Sequence, residues 1–238
     1  MKILVTGHKG YVGPHLMKRL GSQAIGLDIK DGNDIVTCNL PKVDVVIHLA
    51  AQPGVIKSFE DPVETVRTNT YGTVRLWEKY KDTKFIFAST GGAIQKEILS
   101  PYGLSKYCAE EFIKMLFSNY AILRFANVYG REGSRSVIDK FINKPITIYG
   151  DGLQTRIFVH IDDLIRGIIA SINWPKGSYY FGDEKAYTVL ELAQATGKPY
   201  KFAPRREGEI LHPVLKNTTP NWKSIINPID YIKKLCGT

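Results

Sequence analysis

A short apolar run, KILVT, ends in the turn TGHKGYVG, and helical spacing of Tyr11, Leu16 and Leu20 follows at once. An apolar run of this length bounded by glycine reads as a buried parallel strand. Gly7, Gly10 and Gly13 stand three apart between that strand and the helix. A turn this tight needs residues without Cβ, and the same lack lets the backbone approach a diphosphate closely. The free N–H groups at the helix start then face the phosphates. Asp28 closes the next strand, AIGLDI. A carboxylate there can accept hydrogen bonds from both ribose hydroxyls and repels a 2′-phosphate, which favours NAD over NADP. The plainer alternative is a glycine-rich turn followed by an ordinary strand-end Asp. Strand, glycines, helix and acid in register favour the cofactor reading.

The pattern continues with buried strands at 43–50, 84–89 and 120–125. A helix is expected over 62–80, opened by Asp61-Pro62, and another over 100–117, opened by Ser100-Pro101. Strands alternating with helices predict an α/β fold with a parallel, doubly wound sheet. After Phe125 the strands shorten and glycines accumulate. A helix returns in IDDLIRGIIASIN, strands are expected at 178–182 and 200–203, and helices from about Thr188 and near 228–235. The expected division is a cofactor-binding domain over 1–125, with 156–175 packing back onto it, and a smaller, intimately packed C-terminal α/β lobe over 126–238.

The net charge of +9 raises nucleic acid as a partner. Basic residues are spread along the chain in runs no longer than two, which points instead to a solvated surface or a field that draws in an anionic substrate. The opening apolar run is too short for a signal peptide, and none elsewhere approaches a membrane span. Cys38, Cys108 and Cys236 are scattered without a C-x-x-C. They read as reduced thiols of a cytoplasmic protein that holds no metal.

Within SPYGLSKYCAEEF, Tyr102 and Lys106 sit one helical turn apart. Such a pair arises by chance in a chain with 13 Tyr, and Tyr80–Lys84 is a second example. Context separates them. Tyr102–Lys106 opens a helix just after the Ser89-Thr90 strand end, whereas Tyr80–Lys84 straddles a helix end and a strand start. A free phenol titrates near about 10 and is a poor base at neutral pH. A nearby ammonium and a cationic nicotinamide ring would favour the phenolate.

The motifs TGHKGYVG, HLAAQPGV, FASTGG, PYGLSK, LRFANVYG, GDGLQTRIFVHIDDL and RREGE occur in that order. In this series the chain resembles the extended short-chain dehydrogenase/reductases, in the nucleotide-sugar epimerase/dehydratase branch, with UDP-glucose 4-epimerase as the nearest type. The resemblance implies an N-terminal Rossmann domain holding NAD and a C-terminal lobe holding a nucleoside-diphosphate sugar. It implies Tyr102 as general base and acid, Lys106 as its partner and Thr90 as third member. It implies cofactor contacts from Gly7, Gly10, Tyr11, Val12, Gly13, Asp28, Asn39, Leu49, Ala50, Ala51 and Asn69, besides Tyr102 and Lys106. Substrate contacts fall on Thr90, Asn127, Val137, Tyr149, Arg156, Arg206 and Glu209. The family commonly dimerises through the helix carrying the Tyr-Lys pair and the one before it. Val66, Thr70, Val74 and Trp77 mark a stripe on the latter, which packing on the sheet would also explain.

Dehydratases of this branch carry acids just after the Thr, where this chain has Gly91, Gly92 and Ala93. The expected activity is therefore 4-epimerisation of a UDP- or dTDP-hexose through a transient 4-keto sugar. An NAD(P)-dependent reductase or dehydratase, and a non-catalytic NAD- or RNA-binding relative, are the alternatives. The chain departs from the pattern in places. Only KDGND separates the second strand from IVTC, and only LPK separates Asn39-Leu40 from VDVV. A parallel crossover needs roughly a dozen residues or more, so no crossover helix fits. Asn39 stands where an Asp normally meets the adenine, Gln95 where a Tyr is common, and Ile157 replaces a usual Asp.

Overall fold

The strand that begins the chain, Ile3–Thr6 (β1), is wholly buried, because all four of its residues face packed layers. In the computed structural model it pairs in parallel with Ala24–Leu27 (β2) on one side and Val45–His48 (β3) on the other. β3 pairs in parallel with Lys84–Thr90 (β4). Tyr120–Phe125 (β5) and Gly177–Phe181 (β10) complete a six-stranded sheet in the order β10-β5-β4-β3-β1-β2. The structure describes residues 1–94, 100–131, 133–134, 136–205, 219 and 222–238. Gln95, Arg206 and Glu209 lie outside the described residues.

Contacts divide the chain into two units: Met1–Arg124 with Ile165–Tyr179, and Phe125–Leu164 with Tyr180–Thr238. The segment returning to the first unit is Ile165–Tyr179. In the first unit, Gly13–Leu20 (α1) joins β1 to β2. Val55–Glu60 (α2), Pro62–Val66 (α3) and Gly72–Tyr80 (α4) lie between β3 and β4, and Pro101–Leu116 (α5) follows β4. Asp61 caps α3, its Oδ1 accepting from the Glu64 N–H at 3.0 Å, and Ser100 caps α5 through the Gly103 N–H at 3.1 Å. The helix expected over 62–80 runs from Pro62 to Tyr80, with a π turn at Arg67–Tyr71 within it; α2 was not foreseen. Two residues of the stripe bond α5, Thr70 Oγ1 donating to Ser105 O at 3.0 Å and Trp77 Nε1 to Leu116 O at 3.0 Å; Trp77 also packs against the core under the sheet, and Val66 is exposed. Leu76 and Tyr80 fill the core on the other side.

The missing crossover shows where expected. Residues 35–38 form no strand; Thr37 N and Cys38 N both donate to Asp34 O, at 3.0 and 2.8 Å, in a tight turn. Ile35 and Leu40 plug the core beside Leu4, Leu27 and Leu76. Tyr80 Oη and Lys79 Nζ, at the end of α4, bond Pro41 O and Leu40 O. With no strand beyond it, β2 is the sheet edge.

The second unit is built from two-stranded pairs. Asn127–Tyr129 (β6) pairs in parallel with Phe158–His160 (β9), and Ile146–Tyr149 (β7) with Tyr200–Ala203 (β12). Thr155–Arg156 (β8) pairs antiparallel with Tyr187–Thr188 (β11). Val137–Asn143 (α6), Val189–Gln194 (α8) and Pro228–Cys236 (α9) share a core that includes Ile138, Phe158, Leu192 and Ile232. Ile161–Ala170 (α7) carries Asp163, whose buried Oδ2 accepts from Ile225 N at 2.7 Å and Ile226 N at 2.9 Å, anchoring the chain before α9.

Phe85 is fully buried and stacks on Phe117 with ring centroids 4.3 Å apart. Phe85→Ala is expected to lower the unfolding free energy by about 3–5 kcal/mol, measured by urea denaturation of the purified protein.

Candidate active site

The glycine turn is shaped by what it touches. Gly7 has φ +72°, and a Cβ there would lie 2.6 Å from Ala50 N, at the end of β3. A Cβ on Gly13 would lie 2.3 Å from the His8 carbonyl oxygen. Gly10 N closes the turn on Gly7 O at 3.0 Å. Side chains at these positions would break the cradle, so the turn is built for close backbone approach. Thr6 secures the neighbouring loop: its carbonyl accepts from Leu49 N at 3.1 Å and its Oγ1 from Ala50 N at 3.2 Å. Thr6 Oγ1 also meets His48 Nδ1 at 2.6 Å, and His48 Nε2 meets Thr73 Oγ1 at 3.1 Å. Burial drives the His48 pKa down to about 3, helped by the charge of Lys106, so this imidazole is a neutral strut. Tyr11 and Val12 are half-buried around the start of α1, Tyr11 edge-on to His15.

Asp28 ends the next strand as expected. Its Oδ2 accepts from Lys9 N at 2.8 Å and its Oδ1 from Lys30 N at 3.0 Å. A carboxylate oxygen has capacity for a second hydrogen bond, so the site still fits a ribose diol. Glycine cradle, free helix start and carboxylate together fit a dinucleotide. Asn39 is exposed, in the coil before β3. Asn69 is wholly buried on the π turn. Its Oδ1 accepts from Gln52 N at 2.8 Å, and its Nδ2 donates to Gln52 O at 3.2 Å and Ser105 Oγ at 3.0 Å. Both amide protons are committed, so Asn69 acts as a bracket fixing the Ala50–Ala51–Gln52 loop to α5. A π turn of this kind is a recurrent feature of functional sites.

Thr90 is the last residue of β4, Tyr102 lies in the first turn of α5, and Lys106 follows one turn later. α5 packs on β4 and on the turn after it. Lys106 is buried; its Nζ donates to Ala88 O at 2.9 Å and lies 4.5 Å from the centre of the Phe87 ring. Burial pulls its pKa down to about 7, against the charge of Glu110. Burial pushes the Tyr102 phenol up to about 12. The chain alone therefore does not supply the phenolate expected from the Tyr-Lys pair, and a positive charge brought beside Tyr102 is needed. Thr90 Oγ1 accepts from Gly92 N at 3.2 Å, which leaves its hydroxyl proton to donate outward.

Beneath this trio lies a network not anticipated from sequence. Glu110, fully buried on α5, accepts from Ser89 Oγ at 2.5 Å and holds Arg124 through Nε at 3.0 Å and Nη2 at 2.5 Å. Its signals were present: Glu110 stands one turn after Lys106, and Arg124 is a lone charge inside the apolar strand YAILRF.

The remaining expected residues belong to the second unit. Asn127 opens β6, exposed, its Nδ2 donating to Ile157 O at 3.0 Å. Arg156 sits half-buried on β8, Nη1 donating to Thr155 O at 2.7 Å. Tyr149 ends β7, where its carbonyl accepts from Gln154 Nε2 at 2.7 Å. Val137 starts α6 and packs against that unit's core. Among the described residues no group of three or more His, Cys, Asp or Glu is arranged to hold a metal, and no helix is long and apolar enough to cross a membrane.

Residues 3–180 match the profile of the NAD dependent epimerase/dehydratase family. A Methanocaldococcus jannaschii protein provisionally named UDP-glucose 4-epimerase is 33% identical over 98% of this chain and 96% of its own length. The dTDP-D-glucose 4,6-dehydratase of Bos taurus is 34% identical over 64% of this chain, which spans 51% of that protein. Among solved structures, UDP-glucuronic acid 4-epimerase from Bacillus cereus, in complex with UDP-glucuronic acid and NAD, matches with a TM-score of 0.82. It is 28% identical, over 99% of this chain and all of that one.

A lysine whose folded pKa is depressed destabilises the fold at pH below that pKa, where the buried ammonium must be carried, and the penalty fades as pH rises toward the unfolded value. Lys106→Met is therefore expected to raise the melting temperature relative to wild type more at pH 6 than at pH 9, by thermal denaturation. Equal shifts at both pH values would show that Lys106 is not the buried titrating group.

Proposed function

This chain belongs to the NAD dependent epimerase/dehydratase family, and we propose that it epimerises a nucleoside-diphosphate hexose at C4. The observation that carries this reading is Thr90, Tyr102 and Lys106 on the packed end of β4 and start of α5, with the glycine cradle in the same unit. Gly91, Gly92 and Ala93 follow Thr90 where an eliminating enzyme of this branch needs acids. NAD bound on the glycine turn would supply reversible two-electron redox capacity toward C4 of the sugar, and its positive ring the charge that Tyr102 lacks.

The protein's own part is the management of one proton. Tyr102, once its phenol is brought below about 12, takes the proton from the C4 hydroxyl and later returns it to the opposite configuration. Thr90 donates its hydroxyl to the sugar oxygen, held in aim by Gly92 N. Lys106, held by Ala88 O, is the amine partner one turn below Tyr102. Gly7, Gly10, Gly13 and Asp28 receive the cofactor. Asn127 and Arg156 take the nucleotide and its diphosphate, for which the planar guanidinium fork is suited; Arg206 and Glu209, outside the described residues, share that role. In this reading the first unit is the NAD domain and the second the substrate lobe, and the cytoplasm is its site of action.

A homodimer belongs to the same reading. Val63 and Val66 on α3 and Leu104, Tyr107, Phe112 and Met115 on α5 leave an apolar helical face exposed. Exposed faces of that character mark interaction sites, and a second copy presents a complementary one by two-fold symmetry.

Proton NMR of the anomeric region, with NAD and a panel of UDP- and dTDP-hexoses, is expected to show a new signal growing to a fixed ratio without net NADH. Tyr102→Phe is expected to slow that growth by about 10²–10⁴-fold. Solvent deuterium appearing at C5 of the sugar would rule against simple 4-epimerisation. Leu104→Glu with Met115→Glu is expected to halve the mass measured by light scattering, and an unchanged mass would remove this face as the dimer contact.

A further inference from the structure

The glycine turn and the turn after β2 are tied by more than Asp28. Lys30 Nζ donates to Lys9 O at 3.0 Å. Lys9 Nζ pairs with Asp31 Oδ1, and His8 Nε2 lies 3.4 Å from Asp31 Oδ2. The His8 ring reaches this position only because Gly26 of β2 has no side chain; a Cβ there would lie 2.7 Å from the ring. Asp31 therefore gathers two basic side chains of the phosphate turn, His8 and Lys9. It does so three residues from the carboxylate placed to read the adenosine ribose. The lost crossover makes this close approach possible, since residues 29–32 turn back at once instead of running on into a helix.

Charge decides what this cluster can accept. Asp28 alone disfavours a 2′-phosphate but also favours the ribose diol. Lys9 and Lys30 pull the other way: their backbone N–H groups bond the Asp28 carboxylate, and their ammonium groups suit a phosphate dianion. Asp31 offsets Lys9 and adds a second negative charge.

We infer that Asp31 is a specificity-determining residue that keeps the cofactor site selective for NAD by holding Lys9 away from the 2′ position. This rests on the reading that the glycine turn holds a dinucleotide. Freed from Asp31, the Lys9 ammonium is within its own side-chain length of a phosphate on the ribose beside Asp28, whose Oδ2 already bonds the Lys9 backbone.

The test is calorimetric titration of NAD and NADP into the purified protein and into Asp31→Asn, Lys9→Ala and the double variant. Asp31 and Lys9 are both partly exposed, so the fold is expected to survive each change. Wild type is expected to prefer NAD. Asp31→Asn is expected to narrow the NADP-to-NAD ratio of dissociation constants by about tenfold, mainly through tighter NADP, the size of one removed charge at this range in a half-exposed site. Adding Lys9→Ala to Asp31→Asn is expected to restore the wild-type ratio. A ratio that Asp31→Asn leaves unchanged, with NAD still bound, would overturn this inference alone. A narrowed ratio that persists in the double variant would overturn the role of Lys9. Wild type binding neither dinucleotide would overturn the cofactor reading and this one with it.

Discussion

Glu110 is a fully buried carboxylate on α5, and the geometry at the end of β4 and the start of α5 depends on its being satisfied. Removing one partner of such a group strands a charge in low dielectric, a penalty of several kcal/mol. Ser89 and Arg124 prevent that, and in doing so they join three elements: β4 by one hydroxyl bond, β5 by a bidentate guanidinium, and α5 itself. One turn earlier on the same helix, Lys106 bonds the carbonyl of Ala88, the residue before Ser89. Two polar contacts to adjacent strand residues leave little freedom for β4 to slide along α5. Thr90 and Tyr102 are positioned by that restraint, since neither is held to the other directly.

The same helix is tied to the loop after β3. Asn69 carries the connection, bonding Gln52 on one side and Ser105 on the other. The π turn lets an otherwise amphipathic helix aim an amide inward at mid-length. Through Asn69 the loop after β3, which a Cβ on Gly7 would strike, is referenced to the helix that bears Tyr102 and Lys106. Glycine turn, loop and α5 are thus one polar framework resting on the apolar layer of Leu4, Val46, Phe85 and Phe87.

On the adenine side the chain has less material, and the structure shows what takes its place. Ile35 and Leu40 cover core surface that a crossover helix would otherwise shield, and the end of α4 pins them by bonding the carbonyls of Leu40 and Pro41. The Lys9–Asp31 ion pair, with the His8 ring 3.4 Å from Asp31 Oδ2, then braces the glycine turn at the sheet edge.

Much of this was legible in sequence. Unbroken apolar runs marked β1, β3, β4 and β5; Asp61-Pro62 and Ser100-Pro101 announced helix starts through side-chain capping, a local interaction that local sequence encodes. Glycine spacing identified the cradle, and the shortness of KDGND identified the missing crossover. The π turn at Arg67–Tyr71, inside the expected helix, was not legible, because its backbone cost is offset through Asn69 contacts distant in sequence. Nor was the ionisation of the reactive pair. Sequence determines that a phenol and an amine stand one turn apart on a helix face. Whether the amine is a strong cation, or one drawn to about 7 under Phe87 and Ala88, is settled by how much water the packed sheet excludes. That is a property of the tertiary structure, because desolvation depends on every neighbour at once.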